Sequence, residues 1–306
     1  MTPESLLREG LSGWGLAADA APRLLEFSDR LLEKNRVMNL TAITDPVDVV
    51  TLHLLDCAAL LRMEDFRGKR VVDVGTGAGF PGMPLRLLEP DFDLTLLDSL
   101  GKRMAFLQEV CNAMALQRVT CVHARAEEFA AQERERFDLA VSRAVAPLNV
   151  LCELSLPLVR VGGSFLAMKS VDCGEELQSA KSAISQLGGQ LDRLVLVEQR
   201  MTGAQQTHTA AALEERGRCC IHLKGELGAR EDKIECRERV VILLDGALVH
   251  GYLSRERGED ALDLGLLAAL EHLNLVVDFH DLLRLDEHGC TGGRGIMHQK
   301  SEAKRA

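Results

Sequence analysis

The feature that most constrains this chain is a short apolar run that passes directly into a glycine-rich turn. Residues 71–80 read Val-Val-Asp-Val-Gly-Thr-Gly-Ala-Gly-Phe. The apolar run predicts a buried strand, and Gly75, Gly77 and Gly79 suit a tight turn whose backbone can approach a ligand closely. A helix that starts after such a turn would present free N–H groups to the same ligand. The pattern therefore predicts a cofactor at a strand-to-helix turn.

From about residue 69 onward, apolar runs alternate with stretches of helical character. The latter include residues 102–114 and 148–159. The predicted strands cover residues 70–74, 94–97, 119–123, 139–142, 163–168 and 191–197. Regular alternation of this kind predicts an α/β fold, in which a doubly wound, mostly parallel Rossmann-like sheet carries helices on both faces.

Segments of different character flank this alternating region. Residues 1–66 are predicted to form a helical cap, with one helix over 19–35 and another from Pro46 to about residue 63. The core is expected over 67–245, where a strand at 239–244 would close the sheet as an antiparallel edge beside 191–197. Residues of about 200–238 are expected to form an insertion, and 246–306 an acidic, partly disordered extension.

Bulk composition excludes several classes of protein. The net charge of −10 argues against a non-specific nucleic-acid binder, although an acidic enzyme can still engage RNA through a local basic patch. Nine cysteines contain no Cys-x-x-Cys pair, so neither a metal site nor a disulfide framework is expected. The chain shows no secretory signal and no run of about 18–20 apolar residues. We therefore expect a cytoplasmic protein without membrane association.

The glycine turn and the acids near it favour one kind of cofactor. Residues 73–79 do not match the Gly-x-Gly-x-x-Gly dinucleotide pattern cleanly. S-adenosylmethionine (SAM) lacks a pyrophosphate, and its positive amine and sulfonium suit the acid at Asp73. Asp98 ends the second strand, about 20 residues beyond the turn, where a carboxylate can accept bonds from ribose hydroxyls. Taken alone, however, an Asp after a strand is as often a helix cap.

The end of the third strand offers a second cofactor contact. Ala126 followed by Glu127 would suit an adenine, with the small residue against the ring and the acid bonded to the exocyclic amine. On spacing alone this pattern is also compatible with Glu127 or Glu128 as a solvated helix cap.

Several further motifs occur together and in a fixed order. They read Asn-Leu-Thr at 39–41, His-Leu-Leu-Asp at 53–56, Gly-Phe-Pro-Gly at 79–82, Asp-Ser-Leu-Gly-Lys-Arg at 98–103, Arg-Ala-Glu at 125–127, Val-Ser-Arg-Ala at 141–144 and Ala-Met-Lys at 167–169. As a set they closely resemble the bacterial 16S ribosomal RNA guanine-N7 methyltransferases (the RsmG or GidB family). The resemblance covers about residues 20–200.

The resemblance implies a function and a set of site residues. It implies a class I SAM-dependent methyltransferase fold, SAM as cofactor and 16S rRNA, free or in the small ribosomal subunit, as partner. It places SAM contacts at Gly75, Phe80, Ala126, Glu127 and Arg143. It also places the helix that carries residues 53–56 over the cofactor end of the sheet. The acidic stretch beyond residue 245 departs from the family pattern, as does the preceding insertion.

The expected chemistry requires no catalytic acid or base. Enzymes that methylate exocyclic amines carry an Asn/Asp-Pro-Pro-aromatic motif after the fourth strand, whereas residues 142–147 read Ser-Arg-Ala-Val-Ala-Pro. Guanine N7 has a free lone pair and no proton, so the enzyme needs only to align the reactants and exclude water. We therefore expect no catalytic residue, with Arg143 and Lys169 as substrate contacts.

Basic side chains follow the predicted strands and define a candidate RNA surface. Lys102, Arg103, Arg125, Arg143 and Lys169 are expected on one rim of the sheet, as a local basic mouth on an acidic protein. Ordinary solvated charges are the alternative for each of them. Two other functions also stay open: a SAM methyltransferase that acts on a small molecule or protein, and a non-catalytic RNA-binding assembly factor. No stable protein partner is predicted.

Overall fold

The N-terminal region is a helical cap, as predicted. The computed structural model describes residues 2–170, 173–197, 218–225, 237–244, 247–256, 259–262, 275–276 and 298–299. Helix α1 spans Pro3–Gly13 and begins with a reciprocal capping box between Thr2 and Ser5. Helix α2 spans Ala21–Met38, with a proline in its first turn where a missing N–H has no cost.

The second part of the cap is a helical run with an irregular centre. It begins with α3 (Pro46–Val49), where the Asp45 carboxylate accepts from two free N–H groups. It continues as a π-helical turn over Val50–Leu55 and then as α4 (Asp56–Ala58) and α5 (Leu60–Met63). A helix from Pro46 to about residue 63 was predicted, but its π-helical centre was not. Such turns occur often at functional sites.

Five parallel strands form the first half of a ten-stranded sheet, in the order β3-β2-β1-β4-β5. The strands are β1 (Arg70–Val74), β2 (Asp93–Asp98), β3 (Val119–His123), β4 (Phe137–Arg143) and β5 (Val159–Ser170). The connecting helices are α6 (Gly82–Leu88), α7 (Gly101–Ala113), α8 (Ala126–Gln132) and α9 (Leu148–Ser155). The predicted doubly wound, mostly parallel sheet is confirmed.

The second half of the sheet differs from the prediction. Helix α10 (Gly174–Gln186) leads into β6 (Gly189–Val197), which pairs antiparallel with β7 (Arg218–Gly225). Strand β7 also pairs antiparallel with β5 and so lies between β5 and β6. Strand β8 (Arg237–Leu244) pairs with β6 in the parallel sense. The predicted antiparallel pairing of 239–244 with 191–197 is therefore wrong. The chain turns back once in β7, which pairs antiparallel with one edge of β6, and β8 then runs parallel to β6 along its other edge.

Beyond β8 the structure describes four separate strands. Strands β9 (Ala247–Glu256) and β10 (Glu259–Leu262) extend the sheet by antiparallel pairing, and β11 (Leu275–Val276) pairs with β12 (His298–Gln299). The rest of the predicted insertion at 200–238 and of the predicted extension at 246–306 lies outside the described residues.

Two apolar cores cover the two faces of the sheet. Alternate strand residues point to opposite cores, so Val71 joins the core under the cap, while Val72 joins the one under α9 and α10. In β5, Leu166 and Met168 likewise face the cap side, whereas Phe165 and Ala167 face the other. In open α/β sheets, ligands bind beyond the carboxyl ends of the parallel strands. Within the described ranges, no helix is both long and apolar enough to cross a membrane.

Candidate active site

The glycine turn follows the carboxyl end of β1 and adopts backbone angles that glycine favours. Gly75 and Gly77 have φ angles of +70° and +61°, which residues with a side chain rarely adopt. A Cβ atom built on Gly75 would lie 2.6 Å from Cγ2 of Val145, in the loop after β4. A Cβ atom on Gly77 would meet nothing closer than 3.9 Å. The turn therefore packs against Val145 at Gly75 and is open at Gly77.

Asp73 lies beneath this turn and fixes its conformation through two hydrogen bonds. Its side chain is wholly buried, and its Oδ2 accepts from the Thr76 hydroxyl at 2.7 Å and from the Gly82 N–H at 2.8 Å. Burial raises the pKa of Asp73 to about 7, although these two hydrogen bonds act in the opposite direction. The acid expected to face a positively charged cofactor is thus enclosed by the protein and connects the turn to α6.

Asp98, at the end of β2, contacts the glycine turn directly. Its Oδ2 accepts from the Gly77 N–H at 2.9 Å, and its Oδ1 accepts from the Leu100 N–H at 2.8 Å. Arg103 donates to Oδ2 at 3.3 Å, so this arginine, predicted to bind RNA, forms part of the same cluster.

The geometry around Asp98 and Gly77 is suited to a ribose. A carboxylate offers about four lone-pair sites, so the three protein donors leave one for a hydroxyl. The space beside Gly77, which a Cβ would fill, leaves room for the ring. The residues present therefore fit the SAM that the sequence pattern predicts.

The predicted adenine contacts lie beside Asp98. Asp98 pairs in register with His123, and the Ala124 N–H donates to the Asp98 backbone carbonyl at 3.3 Å. Ala126 begins α8, so Ala126 and Glu127 stand at the same edge. Glu127 is exposed, and its own backbone N–H together with Arg125 holds the pKa of its carboxyl below the usual range. The structure thus brings this pair close to the ribose candidate.

A buried cluster joins the helical cap to the end of β4. Arg143 donates to Asp56 Oδ2 at 3.2 Å and to Nδ1 of His53 at 3.1 Å. The same ring nitrogen lies 3.1 Å from the Leu52 carbonyl oxygen, and Nε2 of His53 lies 2.9 Å from the Thr41 hydroxyl oxygen. The His53 ring stacks on Phe80 with centroids 4.5 Å apart, and the guanidinium lies 4.7 Å from the same ring. The cap therefore lies over the cofactor end of the sheet, as the resemblance implied.

Lys169 occupies a different environment from the one expected. Its side chain is 7% exposed, and its Nζ donates to the Ala146 carbonyl and to Oε1 of Glu176. The pair was missed because Glu176 lies on another element, α10. A signal was nonetheless present, since a lysine that ends an otherwise apolar strand is rarely buried without an acid.

The five residues predicted as a basic rim therefore separate into two groups. Lys102 and Arg125 are exposed, and Arg103 is partly exposed beside Asp98. Arg143 and Lys169 are only 9% and 7% exposed and pair with Asp56 and Glu176, so the expectation of a basic mouth is wrong for these two. Burying an unpaired charge is costly, and Asp56 and Glu176 offset this cost for Arg143 and Lys169, which can therefore lie inside the protein. In the part of the chain that is described, no group of three or more metal-ligating side chains occurs.

The fold and the site together define a class of protein. A parallel sheet in the order 3-2-1-4-5 is extended by an antiparallel strand, with a glycine turn after β1 and a carboxylate after β2. This combination is that of the class I SAM-dependent methyltransferases.

Comparison with known proteins identifies the family. The family model described as rRNA small subunit methyltransferase G (GidB) matches residues 20–209. A relative of that name in Clostridium perfringens (strain SM101 / Type A) is 45% identical over 183 residues, which are 59% of this chain and 77% of the relative. Another, in Symbiobacterium thermophilum, is 47% identical over 199 residues, or 62% and 81% of the two chains. The chain belongs to the rRNA small subunit methyltransferase G family.

Proposed function

We propose that this chain transfers a methyl group from SAM to N7 of a guanine in 16S rRNA. The observation that carries the proposal is the loop after β4, which presents Val145 to the glycine turn where amine methyltransferases present a polar Asn/Asp-Pro-Pro-aromatic motif. An acceptor with its own lone pair suits such a loop, because no proton has to be removed before the methyl group is attacked.

In this proposal the chain's own residues bind and orient the reactants. Asp98 would accept a ribose hydroxyl, and the segment at Ala126 and Glu127 would contact the adenine. SAM supplies an electrophilic methyl group. Phe80, stacked under His53 and Arg143, closes the site on the cap side and keeps water out. Alignment of acceptor and methyl group then provides most of the acceleration.

The RNA surface in this proposal is smaller than the sequence predicted. Lys102 and Arg125 are the exposed basic residues at the carboxyl edge among those predicted. We expect them to contact phosphates, and Arg103 to respond to both cofactor and RNA because it already pairs with Asp98. The partner is 16S rRNA, free or in the small subunit, in the cytoplasm, with neither a membrane nor a stable protein partner required.

The proposal is tested with small subunits from cells that lack the corresponding gene. The purified chain is incubated with these subunits and methyl-labelled SAM, and N7-methylguanosine is located by borohydride and aniline cleavage of the rRNA. We expect one labelled guanine in 16S rRNA. Gly75→Asp serves as the control, since it adds a charge and bulk where a Cβ already meets Val145 at 2.6 Å.

Three other results would each contradict the proposal. Label in a protein or small molecule, with none in 16S rRNA, would indicate a different acceptor. A chain that binds the subunit but not SAM in calorimetry would indicate a non-catalytic assembly factor. Full activity in the Gly75→Asp variant would show that the cofactor lies elsewhere.

A further inference from the structure

The loop after β4 is held in a conformation that its own sequence does not favour. Ala144 has a φ of +54°, a left-handed conformation that costs an alanine free energy. The next residue, Val145, lies against Gly75, so the position of this loop sets the shape of the turn's outer face. A conformation of this kind persists only where the surrounding structure holds it.

The Lys169–Glu176 pair contacts the far end of this loop at two points. Lys169 Nζ donates to the Ala146 carbonyl at 2.6 Å. Glu176 Oε1 accepts both from Lys169 and from the Leu148 N–H, the latter at 2.6 Å. Leu148 begins α9 after Pro147, which has no side-chain oxygen to cap it. Glu176 therefore provides the cap from α10, and the two charges together hold Ala146 and Leu148.

The Lys169 end of this pair is buried among apolar residues, whereas the Glu176 side chain is 28% exposed. The neighbouring strand residue Ala167 belongs to the core under α9 and α10. Cys152 of α9, which is near enough to sense the Lys169 charge, is buried, and burial raises the pKa of its thiol to about 12. The buried Lys169 ammonium therefore depends on the Ala146 carbonyl and the Glu176 carboxylate for its hydrogen bonds, and loss of either partner is costly.

We infer that Lys169 and Glu176 are positioning residues of the methyl transfer, acting through the loop of residues 144–148 rather than through contact with RNA. The inference rests on the proposed function and assigns Lys169 a different role from the RNA contact that its position in the sequence predicts. It assigns a role to Glu176 as well. If the loop relaxes by about 1 Å, the acceptor loses its alignment, and a displacement of that size can lower the rate about 100-fold.

The test compares variants of both residues with a lysine that is exposed at the same edge. Lys169→Met and Glu176→Ala each remove one member of the pair, and Lys102→Met removes a candidate phosphate contact. For Lys169→Met and Glu176→Ala we expect kcat to fall about 10- to 100-fold, with KM for SAM and for RNA changed less than about threefold. Glu176→Gln keeps Oε1 as an acceptor, so it should restore at least part of kcat.

The salt dependence of RNA binding separates positioning from contact. A plot of log affinity against log salt has a negative slope, and removal of one phosphate contact makes this slope shallower by about 0.7 to 0.9. We expect this change for Lys102→Met and no change for Lys169→Met. A shallower slope for Lys169→Met, or a normal kcat for Glu176→Ala, would overturn the inference.

Two controls separate loss of positioning from loss of the fold and from failure of the proposed function. The double variant Lys169→Met with Glu176→Leu replaces the pair by apolar side chains, so that neither charge is left without its partner, and we expect stability to be restored. If the Tm of the double variant recovers while its kcat stays low, loss of the fold does not explain the low kcat. If kcat recovers together with Tm, the pair is only structural and the inference is wrong. Wild-type activity on 16S rRNA is measured in parallel, so that failure of the proposed function is recognised separately.

Discussion

Substitution of the first two glycines of the turn by alanine gives the most direct test of the site geometry. Gly75 and Gly77 have nearly equal φ angles of +70° and +61°, so the backbone cost of a Cβ is similar in both, about 1–2 kcal/mol. The two positions differ in their surroundings. A Cβ on Gly75 meets Val145 Cγ2 at 2.6 Å and Cγ1 at 2.9 Å, whereas a Cβ on Gly77 has open space.

The difference between the two variants follows from that contact. Val145 must rotate or shift to admit the new methyl group, and overpacking of this kind costs about 1–3 kcal/mol. Because Val145 is 40% exposed, we expect the lower half of this range, about 1–2 kcal/mol. Gly75→Ala should then lower the free energy of unfolding by about 2–4 kcal/mol in total, and Gly77→Ala by about 1–2 kcal/mol.

A double-mutant cycle with Val145→Ala isolates the contact from the backbone cost. Removal of Cγ1 and Cγ2 leaves the Val145 Cβ as the nearest atom, at 3.4 Å from the new methyl carbon. We therefore expect Gly75→Ala to cost no more than Gly77→Ala in the Val145→Ala background, which corresponds to a coupling of about 1–2 kcal/mol. The assay is urea unfolding followed by circular dichroism. Equal costs for the two alanine variants in the wild-type background, or a coupling near zero, would refute the placement of the loop on the turn.

Two further predictions concern buried acids. Burial raises the pKa of Asp73 to about 7 from an ordinary value of 3.8. Between these two pH values the folded state holds a proton that the unfolded state releases. The free energy of unfolding should therefore fall as the pH rises, by up to about 1.4 kcal/mol per pH unit. Asp73→Asn should remove this slope in urea titrations at pH 4.5–7, and an unchanged slope would contradict the assignment. Asp56→Ala leaves the Arg143 guanidinium buried without its carboxylate and should cost about 3–5 kcal/mol, whereas Arg30→Ala, in an exposed pair with Glu26, should cost less than about 1 kcal/mol. Similar costs for these two variants in the same assay would show that the Asp56 pair is not buried.

The parallel half of the sheet could be predicted because its signals are local. Each buried strand is an apolar run bounded by a change of period, and each connection carries its own helix. The pairing of β8 could not be predicted in this way. Strand β7 lies within the segment expected to be an insertion, and because it pairs antiparallel with one edge of β6, β8 meets the other edge.

The same distinction applies to the site. Gly75, Gly77 and Asp98 were predicted from spacing, because a turn and the strand end beside it leave a pattern in the sequence. The environments of Arg143 and Lys169 were not, since a basic residue after a strand looks alike whether it faces solvent or a buried acid. Only the tertiary partners, Asp56 and Glu176, decide between these outcomes.

These two ion pairs flank one loop and connect it to different layers of the molecule. Arg143, at its start, is bound to the helical cap through Asp56, and Ala146, near its end, is bound to α10 through Lys169 and Glu176. Between these anchors lie the left-handed Ala144 and the Val145 side chain that packs on the cofactor turn. A loop anchored on both sides of the sheet keeps its shape at little cost during turnover, which suits a reaction that depends on alignment more than on proton transfer. Arg143 and Lys169, which the sequence suggests as part of an RNA surface, are thus engaged in ion pairs within the protein that anchor this loop.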